Sequence, residues 1–187
     1  MKMTRIALPM ASIMLMTFGA IGPASAEETI CRGRIGARTV DNLRVPSGAT
    51  CTLEGTTVKG TAKVERGATL FARNVRVIGN VQGENARRVN VVAGSRVGGS
   101  IQVVQGRAGV VRRTTVNADI LFDEQRGTLE VERNNVGRNI QAFQNAGGIR
   151  IAGNTVDGNL QCKENNPRPT GGNNTVQGNK EDQCRNL

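Results

Sequence analysis

One spacing constrains this chain more than any other property: a valine beside a tight polar turn returns every 19 or 20 residues. The motif reads Thr56-x-Val58-x-Gly60-Thr61-Ala62, Val77-x-Gly79-Asn80-Val81, Ser95-x-Val97-x-Gly99-Ser100-Ile101 and Thr114-x-Val116-x-Ala118-Asp119-Ile120. It continues as Asn134-x-Val136-x-Arg138-Asn139-Ile140, Asn154-x-Val156-x-Gly158-Asn159-Leu160 and Asn174-x-Val176-x-Gly178-Asn179-Lys180. The steps between these valines are 19, 20, 19, 20, 20 and 20 residues. A fixed period of this size marks a repeat architecture, in which each unit buries its apolar face against its neighbours.

Between the anchors, apolar residues alternate with a period of two, as in Val89/Val91, Leu129/Val131, Ile140/Ala142 and Ile149/Ile151. That is strand periodicity, and no segment sustains the helical spacing i, i+3, i+4, i+7. Three short strands fit in each repeat, and sharp turns close them into one coil. Successive coils then stack as parallel strands about 4.8 Å apart. The fold expected is all-β: a single-stranded right-handed parallel β-helix of roughly seven to eight coils of about 20 residues. A leucine-rich repeat would need spaced leucines that are absent here.

The turns account for much of the Asn and Gly. Asn134, Asn154 and Asn174 fall in one column, and Asn139, Asn159 and Asn179 in another. Asparagine tolerates the left-handed conformation, and its amide can bond a neighbouring coil.

The chain opens with Lys2 and Arg5, an apolar run from Ile6 to Ile21, and the small-x-small triplet Ala24-Ser25-Ala26. This is the pattern of a cleaved signal peptide over residues 1–26, leaving one β-helix domain over 27–187. No later stretch is apolar enough to span a bilayer, so an exported protein of the periplasm or the extracellular space is expected.

In an oxidising compartment four cysteines read as two disulfides. Cys31 and Cys51 are 20 residues apart and Cys162 and Cys184 are 22 apart, each close to one coil. Coil spacing lies within disulfide reach, so these pairs are expected to staple the first and last coils. A shared metal site is not expected, because the cysteines divide between opposite ends and the chain has no His. Residues 162–187 read as a polar cap, with a loop from Asn165 to Gly172 and Lys180 where the core aliphatic belongs.

Two segments resemble a group of small secreted bacterial right-handed parallel β-helix proteins. The first runs Val40-Asp41-Asn42-Leu43-Arg44-Val45-Pro46 through Gly48-Ala49, Cys51, Leu53 and Gly55-Thr56 to Val58 and Gly60. The second comprises Gly158-Asn159-Leu160-Gln161-Cys162-Lys163-Glu164-Asn165 and Gly178-Asn179-Lys180-Glu181-Asp182-Gln183-Cys184. The resemblance implies the β-helix and terminal disulfides, and it carries no catalytic residues.

Function has to come from the surface. The whole chain carries 25 Lys and Arg against 15 Asp and Glu, for a net charge of +10, with no His, Trp or Tyr. A polysaccharide lyase would need clustered carboxylates and a base. The candidates are Asp119, Asp123, Glu124, Glu130, Glu132 and Asp157, with Arg112, Arg113, Arg133 or Arg150 beside them. Arg150 falls one repeat after Glu130, which reads more simply as a cross-strand ion pair. Hydrolases would want an isolated carboxylate pair, and aromatic sugar platforms are missing. A non-enzymatic protein without a cofactor is therefore expected.

The arginines suggest binding. Arg66, Arg87, Arg107 and Arg126 follow their anchor valines by 8, 10, 10 and 10 residues, which predicts a ladder along one edge. Arg73, Arg112 and Arg133 approximate a second ladder, with Arg76 and Arg96 nearby. Stacked guanidiniums repel unless an anion bridges them, and Arg is a good fork for carboxylate, phosphate or sulfate. The expected partner is an anionic polymer such as an acidic polysaccharide or lipopolysaccharide, or another envelope component. Nucleic acid fits less well, because stacking aromatics are missing. The alternatives are solvated arginines that only keep the chain soluble, and a structural or adhesin-like role. An ice-binding face is disfavoured, because Thr56, Thr57, Thr114 and Thr115 do not continue in the later motifs.

Overall fold

Each coil of this protein turns three corners, and the strands between the corners build three sheets. The structure, a computed structural model, describes residues 27–187; the signal segment expected over 1–26 lies outside them. All pairings between neighbouring strands are parallel, in sheets of nine, eight and eight strands. Sheet one runs from Glu28–Ile30 to Lys180–Asp182, sheet two from Gly33–Ile35 to Thr170–Gly172, and sheet three from Thr39–Val40 to Thr175–Val176. The fold is the expected all-β solenoid of parallel coils, and no helix is present among the described residues.

The anchor valines form the inward column of sheet three. Val58, Val77, Val97, Val116, Val136, Val156 and Val176 are successive partners, and Val40 extends the column one coil earlier than the motif search reached. β-Branched side chains suit this pleated, stacked surface. Sheet one buries Leu43, Ala62, Val81, Ile101, Ile120, Ile140 and Leu160 in one column. Sheet two buries Leu53, Ala72, Val91, Val111, Val131 and Ile151. Size is balanced across the core rather than within a column. Phe122 is fully buried, and a β-carbon on Gly109 would lie 2.5 Å from its ring. A glycine opposite the one buried aromatic among the described residues keeps the coil's cross-section constant.

The corners are held by polar columns. Asn134 Nδ2 donates to the Val111 carbonyl (2.8 Å), and its backbone N–H donates to Asn154 Oδ1 (3.0 Å). Asn154 repeats the pattern with Val131 and Asn174. In the second column the direction reverses: the backbone N–H of Asn159 donates back to Asn139 Oδ1 (2.8 Å), and that of Asn179 to Asn159 Oδ1 (2.9 Å). A third column, not identified from the sequence, links Gln125, Asn145, Asn165 and Gln183 at the corner between sheets one and two. Its sequence signal is the 20-residue spacing of Gln125, Asn145 and Asn165. These side chains satisfy buried backbone groups that a sharp corner would otherwise orphan.

Both disulfides join neighbouring coils, with Cα separations of 5.5 Å for Cys31–Cys51 and 5.2 Å for Cys162–Cys184. At the C-terminal end Lys180 partners Leu160 and Gly171 partners Ile151, so the aliphatic columns of sheets one and two stop there, while that of sheet three continues to Val176.

Candidate anion-binding groove

The corner joining sheets one and two carries most of the first arginine set. The Arg107 backbone N–H donates to the Ala86 carbonyl (3.0 Å) and that of Arg126 to the Gly106 carbonyl (3.1 Å). Arg87, Arg107 and Arg126 therefore occupy one position on three consecutive coils. All three are exposed, and among the described residues none has a carboxylate within 4.0 Å. Arg66 does not join them. Val64 partners Gly83 and Thr69 partners Arg88, so Ala68 holds the place of Arg87 and Arg66 stands two residues ahead. Its short offset of 8 from Val58 carried that information.

Arg107 and Arg126 line a groove of about 790 Å³ with Asn85, Gln105, Gly106, Glu124, Gln125, Gln144 and Ala146. The floor is low because Ala86 and Gly106 have little or no side chain and the Gln125 side chain is buried. Gly106 is required: a β-carbon there would sit 2.6 Å from the Ala86 carbonyl oxygen and 2.7 Å from Gln125 Oε1. Beside the arginines runs a second exposed column, Gln105, Glu124 and Gln144, each at positive φ. Gln105 Nε2 donates to Glu124 Oε2 (3.3 Å), and Gln144 Nε2 donates to Glu164 Oε2 (2.9 Å). Next to Glu124, Asp123 lies in register between Val104 and Phe143. Burial there, then the neighbouring Glu124 charge, pushes its carboxyl above the ordinary range.

The second arginine set does not form a ladder. Arg73 and Arg112 share a column but Val92 separates them, and Glu132 follows Arg112 where an arginine was expected. Arg133 falls one position later, 21 residues after Arg112, whereas the register pairs Arg112 with Glu132, 20 residues on. Arg112 is also occupied, through a 2.9 Å ion pair with Glu130.

The candidate acids are dispersed. Glu130 and Arg150 are backbone partners as expected, but the ion pairs run diagonally, Arg112 to Glu130 and Arg150 to Glu132 (2.6 Å). Asp119 Oδ1 accepts from Asn139 inside the second polar column, and Asp157 accepts from Gln177. Among the described residues no three of His, Cys, Asp and Glu gather as a metal-binding group.

Arg76 and Arg96 are direct partners on sheet three, both exposed and without an ion pair, beside the exposed Ile78. They interrupt a file of threonines longer than the motifs suggested: Thr39, Thr57, Thr115, Thr155 and Thr175 share this outward column with Asn135. The sequence reading that the threonines stop is thus corrected, because Thr155 and Thr175 occupy the same strand position as Thr115.

Comparison of the chain with family models, with curated proteins and with solved structures finds no match. Among the described residues no helix is long and apolar enough to cross a membrane.

Proposed function

We propose that this chain is an exported, non-enzymatic solenoid of the secreted bacterial β-helix type that holds an anionic polymer along the sheet one–sheet two corner. The observation that carries the reading is the Arg87–Arg107–Arg126 column, three exposed guanidiniums on consecutive coils with no carboxylate partner. Parallel coils place them about 4.8 Å apart, close enough to repel one another. Spanning anions relieve that repulsion and take up the donors. Two disulfides and the polar columns give a rigid platform suited to an oxidising compartment. Arg66, Arg73, Arg112 and Arg133 are left out of the binding set on their placement.

The test is titration of the purified protein with dextran sulfate over a salt series. Binding should weaken steeply with salt and fall on charge reversal at Arg87, Arg107 and Arg126. Binding that ignores both would end this reading. The second reading, a structural envelope component, draws on the stapled and capped ends, and retention by an envelope fraction after such charge reversal would favour it.

A further inference from the structure

We infer that the groove is built for a hydroxyl-bearing acidic polysaccharide rather than for a polymer whose only polar groups are anionic phosphates. The inference rests on the anion-binding reading above and sharpens it. Its ground is the column beside the arginines. A surface made only to attract negative charge would have no carboxylate in it, yet Glu124 lines the same groove as Arg107 and Arg126. Among the described residues Glu124 makes no ion pair with either, and its carboxylate accepts one hydrogen bond, from Gln105 Nε2. Gln105 and Gln144 each give one of their two amide hydrogens to a neighbouring carboxylate, which orients the amide in the column. Among the described residues their amide oxygens accept nothing, so the column presents acceptors.

The groove therefore offers two parallel files of opposite character, donors at Arg107 and Arg126 and acceptors at Gln105, Glu124 and Gln144. The files lie two residues apart in each coil, across the low floor at Gly106 and Gln125. A guanidinium donates only, and an ionised carboxylate accepts only. A polyphosphate brings acceptors alone: it satisfies the arginines and is repelled by Glu124. A polymer of uronic acids brings a carboxylate for the arginines and hydroxyl hydrogens for the acceptor file. Selectivity of this kind arises because the mismatched ligand leaves charged groups unpaired.

The experiment compares polygalacturonate with polyphosphate at equal charge concentration and fixed ionic strength, using the purified full chain and its variants. The unaltered protein should prefer polygalacturonate by about fivefold or more, the scale of one exposed charge-assisted hydrogen bond. Glu124→Gln removes the repulsion of phosphate and the charged acceptor for hydroxyls together, so the preference for polygalacturonate should shrink by about fivefold. Equal affinity for both polymers in the unaltered protein, or a ratio that Glu124→Gln does not move, overturns the inference. The double variant Arg107→Gln/Arg126→Gln separates the two levels. If it weakens both polymers while the unaltered protein binds them equally, the groove binds anions without reading hydroxyls; if it changes neither, the groove reading fails as well. Glu124 is exposed, and unchanged thermal unfolding of Glu124→Gln would show that the fold is intact.

Discussion

Two parts of this molecule carry arginines on stacked coils and surround them differently. On sheet two, Arg112 and Arg150 each find a glutamate on the adjacent strand, so the charges cancel within the protein. At the corner one turn away, Arg87, Arg107 and Arg126 stand on consecutive coils with no carboxylate in reach. Residue type is alike in both places. What differs is the residue one coil over: Arg112 has Glu132 as its backbone partner, whereas Arg107 has Arg87 and Arg126 as its neighbours. A repeat thus makes neighbours by period, and the identity of those neighbours decides whether a charge serves stability or is left for a ligand.

The sharpest way to break this contrast is to neutralise the corner. Substituting Arg87, Arg107 and Arg126 together by Gln should lower affinity for dextran sulfate by about 100-fold, counting about 1 kcal/mol for each exposed contact. Isothermal titration reads this directly, with thermal unfolding as the check on folding. The next effect comes from the floor. Gly106→Ala forces a β-carbon against the Ala86 carbonyl oxygen and Gln125 Oε1, at a cost of about 1–3 kcal/mol of stability in chemical denaturation. It should also weaken polymer binding by disturbing the stack.

The complementary change, Arg112→Gln with Arg150→Gln, should leave polymer binding within about twofold and lower stability by less than about 1 kcal/mol per pair. A loss of binding equal to that of the corner variant would erase the distinction between the two regions, leaving net charge as the sole cause. The smallest effects concern pH. Asp123 has its carboxyl raised, chiefly by burial, so the folded state holds that proton more tightly than the unfolded chain does. Stability therefore falls as pH rises through the interval from the ordinary carboxylate range to the raised value, and Asp123→Asn should abolish that fall. Glu65 behaves oppositely. The Ser47 backbone N–H, first among its causes, holds it below the ordinary range, so its contribution is lost on acidification and Glu65→Gln removes it. Unfolding temperatures measured across acid pH should show the two variants diverging in sign.

Much of this architecture was legible in the sequence because a stacked coil converts period into contact. Valine spacing located sheet three, the cysteine spacings located both disulfides, and the asparagine spacings located two polar columns. The limits came from residues counted from too few landmarks. Arg66 looked like a rung because it follows Val58 at roughly the right distance, but Ala68, two residues on, holds the place opposite Arg87. Arg133 is 21 residues after Arg112 where the register steps 20, a difference of one that valine steps of 19 to 20 do not resolve. The acceptor file at Gln105, Glu124 and Gln144 was hidden differently. Its members are not of one residue type, and the backbone register shows that they stand on one line.

The polar columns carry a consequence for how such a molecule can vary. Each corner residue bonds only the coil before or after it, and each disulfide spans only two coils at its own end. The middle is therefore modular. A coil of 20 residues obeying the same column rules could be spliced in between the staples, lengthening the protein by about 4.8 Å while both ends keep their contacts. The groove, sited in that middle stretch, is the part whose reach would grow, so under the proposed function the number of polymer units held could change while the ends stay constant.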